Sequence, residues 1–313
     1  MTAIVGIINK KGIAIAADSA STLKKKIINS GNKMLRLSDV VPAAVMIVNN
    51  SSLAQIPWEV IIRWYRKENG KTKYDSLQDC IKSFLDFVNS KVLSRDDIPD
   101  ERCLFDEDVT TNLVFAGYGV KDVIPTMCEL YIYGIDHRKL LTKTGKGYIL
   151  SSSDKEATIY AQGQPEIIKS YIHGVIESYV DRLIEGHIKF FKEAAANLAF
   201  EYFPTEIALS FNADSLSTED VMKKMVSVIN ECKKESEEEW LDAVKNYSIQ
   251  EMASLAENLI KATELRKKIM NEEEQVGGLI DLAVITKNDG FQWLNRKSWY
   301  DPSRGGQYGK FGI

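Results

Sequence analysis

The amino terminus carries residues whose types and positions suit nucleophilic chemistry. The chain begins Met1-Thr2, and removal of Met1 would leave Thr2 with a free α-amine beside its own hydroxyl. A hydroxyl can attack a carbonyl carbon, and an α-amine with an ordinary pKa of about 7.7–8.0 is partly neutral at physiological pH and can serve as the base. One residue would therefore supply both the nucleophile and its base.

A predicted β-hairpin brings a carboxylate close to this terminus. Two segments rich in Ile, Val and Ala, at 2–8 and 13–17, flank a polar turn at 9–12 that ends in glycine, a residue that suits positive φ. In an antiparallel pair with this turn, position 8 lies opposite about position 13. We therefore expect Thr2 to face the neighbourhood of Asp18 and Ser19.

A lysine would complete the site. A hydroxyl is a weak nucleophile at its own pKa, so a buried lysine held by a carboxylate would help by stabilising the alkoxide. Lys33 opens the next apolar segment, 33–37, and is the candidate. Each residue alone has a commoner structural role, since an Asp after a strand is usually a turn residue and most lysines are solvated. The combination of Thr2, Asp18 and Lys33 favours an N-terminal threonine nucleophile.

The same residues carry a resemblance to a known family. Thr2, the stretch 13–23 (IAIAADSASTL) and the stretch 31–37 (GNKMLRL) resemble the opening of the proteasome β-type N-terminal-nucleophile hydrolases. The closing segments 276–286 and 290–294 resemble the last hairpin of that family. The resemblance covers roughly 2–180 and 248–296, and it implies an α+β fold in the form of a four-layer αββα sandwich with extra helices.

The resemblance also implies roles for single residues. Thr2 matches the nucleophile, Lys33 the lysine that activates its hydroxyl, and Asp18 the carboxylate partner of that lysine, with one residue fewer between the last two than in the family. Thr22 matches a contact to the substrate backbone. The sequence departs from the family pattern further along, where Gln164 stands at the position of a supporting serine and Glu273 takes an acidic position.

Candidate pocket residues follow from the segments nearest the site. Ser21, Val45 and Met46 are expected to help form the substrate pocket. The segment 43–50 lacks the glycine whose amide forms the family's oxyanion hole. Any residue except proline can offer a backbone N–H, so Val45 or Met46 could supply it.

Composition limits the classes of function. The net charge of −4 argues against nonspecific nucleic-acid binding. The longest apolar stretches are too short to span a bilayer, and the amino terminus lacks the order of a signal peptide, so a cytoplasmic location is expected. Four widely spaced cysteines indicate reduced, mostly buried thiols, and three histidines lack metal-ligand spacing. We predict no metal and no cofactor.

Periodicity predicts the elements that position the site. Strands are predicted at 34–38, 43–48, 110–118, 128–135 and 157–161, and helices around 53–64, 77–92, 165–202 and 217–270. Gly117 and Gly119 lack the frame of a phosphate-binding loop and are interpreted as turn residues.

The domain prediction is a single domain over 1–313 with an inserted helical segment at 185–247 and an irregular tail at 298–313. The charged run at 231–239 is typical of a solvated helix face, and the alternative is a lid or a partner-docking arm. The resemblance and this added helical surface together predict a homo-oligomer.

Two classes of function remain open. The first is a threonine-type amidohydrolase, most simply a peptidase acting on a peptide or other amide; the same nucleophile would make a transpeptidase or amide ligase if an amine replaced water. The second is a catalytically degenerate relative that acts as a scaffold. Neither class needs nucleic acid or a membrane as a partner.

Overall fold

The structure of the chain is a computed structural model. The structure describes residues 3–23, 26–28, 31–98, 101–106, 110–144, 156–163, 165–202, 219–269 and 277–296. The chain divides into two compact units, one formed by Met1–Pro165 with Leu241–Ile313 and the other by Glu166–Trp240. Helices and antiparallel sheets occur together, which confirms the predicted α+β class.

The first unit contains two antiparallel sheets. One sheet has, in spatial order, β13 (Ala157–Gln162), β1 (Ile4–Asn9), β2 (Gly12–Ala17), β14 (Asp281–Thr286) and β15 (Gly290–Asn295). The second has β12 (Lys139–Thr144), β11 (Thr126–Asp136), β10 (Thr111–Gly117), β6 (Ala43–Asn49) and β5 (Met34–Arg36), with β9 (Cys103–Leu104) on β11. Two short hairpins add β3 (Ser21–Leu23) with β4 (Lys26–Ile28), and β7 (Ser52–Leu53) with β8 (Ile56–Pro57).

Three helices pack against these sheets. They are α1 (Trp58–Asn69), α2 (Leu77–Phe87) and α6 (Ile249–Ile269), and a π-helical turn, Val88–Val92, extends α2. The amino end of α2 is fixed by a capping box, in which Ser76 and Asp79 each bond to the other's backbone N–H. Burial recurs every three or four residues along each helix, so each presents one apolar face.

Alternation along β6 divides the core of this unit into two clusters. Ala43, Val45 and Ile47 belong to an apolar cluster shared with α1 and α2. Ala44 and Met46 point to the other face, into a cluster that the two sheets share. Helix α6 contacts β1, β2 and β14 of the first sheet. Strands β1 and β2 are consequently buried along their whole length.

The second unit is helical. It contains α4 (Glu177–Tyr202) with most of α3 (Pro165–His173) and α5 (Glu219–Val244). Ser236 Oγ donates to the carbonyl of Ile172 (2.6 Å), which ties α5 to α3. This unit extends from Glu166 to Trp240, so its limits differ from those of the predicted insertion at 185–247. The role of that insertion stays a prediction. Within the described part of the chain, no helix is both long and apolar enough to cross a membrane.

The first covering helix begins later than the periodicity predicts. The predicted helix around 53–64 is wrong at its start, because Ser52–Pro57 forms a tight hairpin. Ala54 and Gln55 have positive φ in this hairpin (46° and 64°). Helix α1 starts at Trp58, directly after a proline. A proline disfavours helical geometry in the residue before it, so Pro57 indicates in the sequence that the helix begins after this point.

Gly117 is a strand residue with a close neighbour and not a turn residue. It ends β10 at a φ of 152°, and a Cβ there would lie 2.2 Å from the carbonyl oxygen of Pro42 and 2.8 Å from Cα of Ala43. Both obstructing atoms are backbone, so a side-chain rotation cannot relieve the clash. Gly119 approaches the backbone of Asp75 and Ser76 in the same way.

Gly117→Ala is therefore expected to lower the free energy of unfolding by about 1–3 kcal/mol, the usual cost of overpacking. Chemical denaturation would measure it. Gly186→Ala is the matched control, because Gly186 lies within α4 with no atom within 4 Å of the added Cβ. That exposed helical position should gain stability or stay unchanged. A Gly117→Ala protein as stable as the control would contradict the close packing.

The cysteines are less uniformly buried than expected. All four are free, and Cys80 is buried, but Cys103 and Cys232 are exposed, so the prediction of mostly buried thiols is wrong for these two. Burial raises the pKa of the Cys80 thiol to about 12, and it also raises the pKa of the partly buried Cys128. A thiol with so high a pKa holds almost no thiolate at pH 8.

Iodoacetamide at pH 8 should therefore alkylate Cys103 and Cys232 in the native protein and leave Cys80 unmodified, while the unfolded protein is alkylated at all four cysteines. Peptide mass spectrometry of native and denatured samples would measure this pattern. Native labelling of Cys80 at the rate of Cys103 would contradict its burial.

Candidate active site

The predicted hairpin positions the first element of the site. Strands β1 and β2 pair with Ile8 opposite Ile13 and Ile4 opposite Ala17, which confirms the predicted register. One step further, the amide of Asp18 donates to the carbonyl of Ala3 (3.1 Å), and the amide of Ala3 donates to Asp18 Oδ1 (2.8 Å). The backbone and the carboxylate of Asp18 thus both bind the residue that follows Thr2. Thr2 itself lies outside the described residues.

Lys33 and Asp18 form a buried ion pair. Lys33 Nζ lies 2.7 Å from Asp18 Oδ1, and the two side chains are 8% and 0% exposed. Lys33 precedes β5, and its carbonyl accepts a hydrogen bond from the amide of Ile47 on β6 (2.8 Å), which fixes its backbone to the second sheet. The pair therefore joins the end of β2 in one sheet to the start of β5 in the other.

Backbone amides complete the surroundings of the Asp18 carboxylate. Its Oδ2 accepts from the amides of Ala20 (3.2 Å) and Gly277 (3.3 Å). In return the carbonyl of Gly277 accepts from the amides of Ser19 and Ala20. A buried charge is tolerated when it is paired and its remaining lone pairs accept hydrogen bonds. Asp18 meets both conditions and holds Lys33 in one orientation.

Ser19 lies beside Asp18, and the sequence assigns it no role beyond its expected nearness to Thr2. It is fully buried, and its hydroxyl has no hydrogen-bond partner among the described residues. Its amide and carbonyl are both used, by Gly277 and Gly31 respectively. A serine directly after a candidate aspartate carries no pattern that would distinguish it from a turn residue.

The predicted pocket residues lie in different environments. Val45 and Met46 are fully buried on opposite faces of β6, one beneath the helices and one between the sheets. Ser21 and Thr22 lie on β3, paired with β4. Gln164 and Glu273 fall outside the described residues. Contact between a substrate and any of these positions stays a prediction.

A second polar cluster lies on the other side of β1. Glu129 on β11 accepts hydrogen bonds from Asn112 Nδ2 of β10 (2.7 Å) and Gln162 Nε2 of β13 (3.0 Å). The cluster thus links the two sheets a second time. The sequence shows Glu129 as a charged residue inside the predicted strand 128–135, which is the one sign of this cluster. It does not predict the partners of Glu129, because these depend on how the two sheets stack.

Comparison with known proteins gives structural neighbours at low sequence identity. No protein-family model matches the chain, and no curated protein sequence matches it. Among solved structures the chain is similar to Anbu, the ancestral β-subunit, from Yersinia bercovieri, with 11% identity, a TM-score of 0.46, and coverage of 94% of this chain and 87% of that one. An Anbu (Gly-1) mutant from Hyphomicrobium sp. strain MC1 has 13% identity, a TM-score of 0.47, and coverage of 97% and 90%. The structural match is moderate, and it extends over most of both chains.

Proposed function

We propose that this chain is a threonine-type N-terminal-nucleophile amidohydrolase, a proteasome-like peptidase that acts through an acyl ester on Thr2 after Met1 is removed. The observation that carries the proposal is the buried Lys33–Asp18 ion pair at the start of β1, with Asp18 also bonded to the amide of Ala3. A buried lysine that is held charged is suited to stabilise an alkoxide on an adjacent residue. Thr2 is the residue before Ala3 in the chain.

The proposed reaction proceeds in two stages. In the first, Thr2 Oγ attacks the amide carbonyl carbon, the α-amine takes the hydroxyl proton, and that proton passes to the leaving nitrogen as the C–N bond breaks. The product amine departs and an ester remains on Thr2. In the second stage water attacks the ester, giving a carboxylic acid and the free hydroxyl. Lys33 stays protonated throughout, and Asp18 keeps it charged and oriented.

The proposal extends to the fold and the assembly. The order of α1 and α2, the two sheets and α6 supports a four-layer αββα sandwich of the N-terminal-nucleophile type. We further propose a cytoplasmic homo-oligomer. Transfer of the acyl group to an amine instead of water would use the same site.

Intact mass of the natively expressed protein, before and after a β-lactone probe, tests the function directly. We expect a mass lower than that of the full sequence by one methionine, and then a single adduct that maps to Thr2. The control is the same protein with Met1 retained, which should form no adduct because its terminal amine is not on Thr2. Retained Met1 in the native protein, with no adduct, would contradict the proposal and favour a scaffold role.

A further inference from the structure

Glu129 carries a negative charge that no described cation balances. Its hydrogen-bond partners, Asn112 Nδ2 and Gln162 Nε2, are neutral amides. Across the described residues, the ion pairs do not include Glu129. Asn112 and Glu129 are partly buried. A carboxylate in such a position is held in place by its donors and remains free to attract a cation.

The register places this cluster beside the site. On one side of β1, Asp18 bonds to Ala3 and to Lys33. On the other side, Gln162 of β13 is the register partner of Ile4. The start of β1 therefore lies between a lysine–aspartate pair and the Glu129 cluster, and the proposed nucleophile directly precedes that start.

The cluster offers further groups that suit a cation. Asn112 Oδ1 is buried and lacks a hydrogen-bond partner among the described residues, so it offers a second acceptor beside the carboxylate. Tyr131 lies opposite Asn112 in the register and, two residues after Glu129, on the same face of β11. Its ring stacks on that of Tyr133, with centroids 6.2 Å apart and planes 18° from parallel. Aromatic faces attract ammonium and guanidinium groups and pack against their aliphatic stems.

We infer that Glu129, Asn112 and Tyr131 form a subsite for a cationic side chain of the amide substrate, of the lysine or arginine type. The inference rests on the proposed function, because that function brings an amide chain to the start of β1. The Glu129 carboxylate and Asn112 Oδ1 are acceptors, so a ligand that binds to them must supply donors. A charged donor gains a charge-assisted hydrogen bond that a neutral side chain of the same length does not.

The test compares two peptide amides that differ only at one side chain, lysine in one and norleucine in the other. We expect the ratio of their kcat/KM values to favour lysine, and Glu129→Gln to lower that ratio by at least about tenfold, or about 1.4 kcal/mol. Glu129→Lys should reverse the preference toward a glutamate-bearing peptide. Glu156→Gln is the matched control, since Glu156 is an exposed carboxylate beside the far end of β13 and pairs with Lys10. The Glu156→Gln protein should show the same ratio of kcat/KM values for the lysine and norleucine peptides as the unmodified protein.

A binding measurement separates this inference from the proposed function. Fluorescence anisotropy of the labelled lysine peptide would be recorded on the Thr2→Ala protein with and without Glu129→Gln. Weaker binding after Glu129→Gln supports the subsite even if the β-lactone fails to acylate Thr2, in which case only the hydrolase function is overturned. Normal acylation by the β-lactone with an unchanged lysine-to-norleucine ratio in Glu129→Gln overturns the subsite and leaves the function standing.

Discussion

Thr2→Ala is expected to lower the turnover of a peptide amide by at least about a thousandfold while leaving the protein folded. The replacement removes the only group that can form the acyl ester in the proposed reaction. The buried part of β1 begins after this position, and its apolar side chains are untouched. Hydrolysis of a fluorogenic peptide amide would measure the loss, and thermal unfolding would show whether stability is retained.

Thr2→Ser is the matched control for this variant. Serine keeps the hydroxyl and the α-amine and loses a methyl group, so it should retain measurable turnover and still form a β-lactone adduct. Wild-type turnover in Thr2→Ala would exclude Thr2 as the nucleophile. Equal loss in both variants, with normal unfolding, would indicate that the methyl group and not the hydroxyl matters.

Lys33→Met should reduce both stability and turnover. It removes one partner of a buried ion pair and leaves the Asp18 carboxylate uncompensated, a change that typically costs about 3–5 kcal/mol of unfolding free energy. The amides of Ala3, Ala20 and Gly277 still bond to the carboxylate, so the low end of that range is expected. Turnover should be lost because the cation proposed to stabilise the Thr2 alkoxide is gone. Chemical denaturation and the peptide assay measure the two effects separately.

A double variant separates the two roles of the pair. Lys33→Met combined with Asp18→Asn leaves no unpaired charge, so it should be more stable than Lys33→Met alone but equally inactive. Lys10→Met is the surface control, because Lys10 and Glu156 are both 56% exposed, and such pairs contribute about 0–1 kcal/mol. Full turnover in the stable double variant would contradict a catalytic role for Lys33.

Local sequence was sufficient to predict the part of the site that lies on one hairpin. The apolar segments on either side of Gly12 determine both the pairing and its register, so Asp18 could be placed opposite the start of the chain. Lys33 was identified by its position before an apolar segment, and the structure places it on Asp18. The placement of Asp18 depends on strand alternation and turn chemistry, whereas the choice of Lys33 also depended on the family resemblance of 31–37.

The remaining site features depend on contacts between distant segments. Glu129 meets Gln162 only because β11 and β13 face each other across the two sheets, and no local pattern encodes that stacking. The close approach of Gly117 to Pro42 likewise depends on how two strands meet. Strand β12 was missed because Lys139–Thr144 does not alternate between apolar and polar residues.

The contact between Asp18 and the amide of Gly277 spans 259 positions of the sequence. Strand β2 also pairs with β14, so the hairpin has two sets of contacts with the distant segment 277–286. At translation rates of about 5–20 residues per second, the hairpin leaves the ribosome on the order of ten seconds or more before its partners exist. A nascent chain that has not reached Gly277 therefore contains Ala3, Ala20 and Lys33 but lacks the amide of Gly277 that completes the surroundings of Asp18. The complete set of contacts around Asp18 therefore forms only after the segment 277–286 has been synthesised, and full reactivity at the amino terminus is expected only in chains that contain this segment.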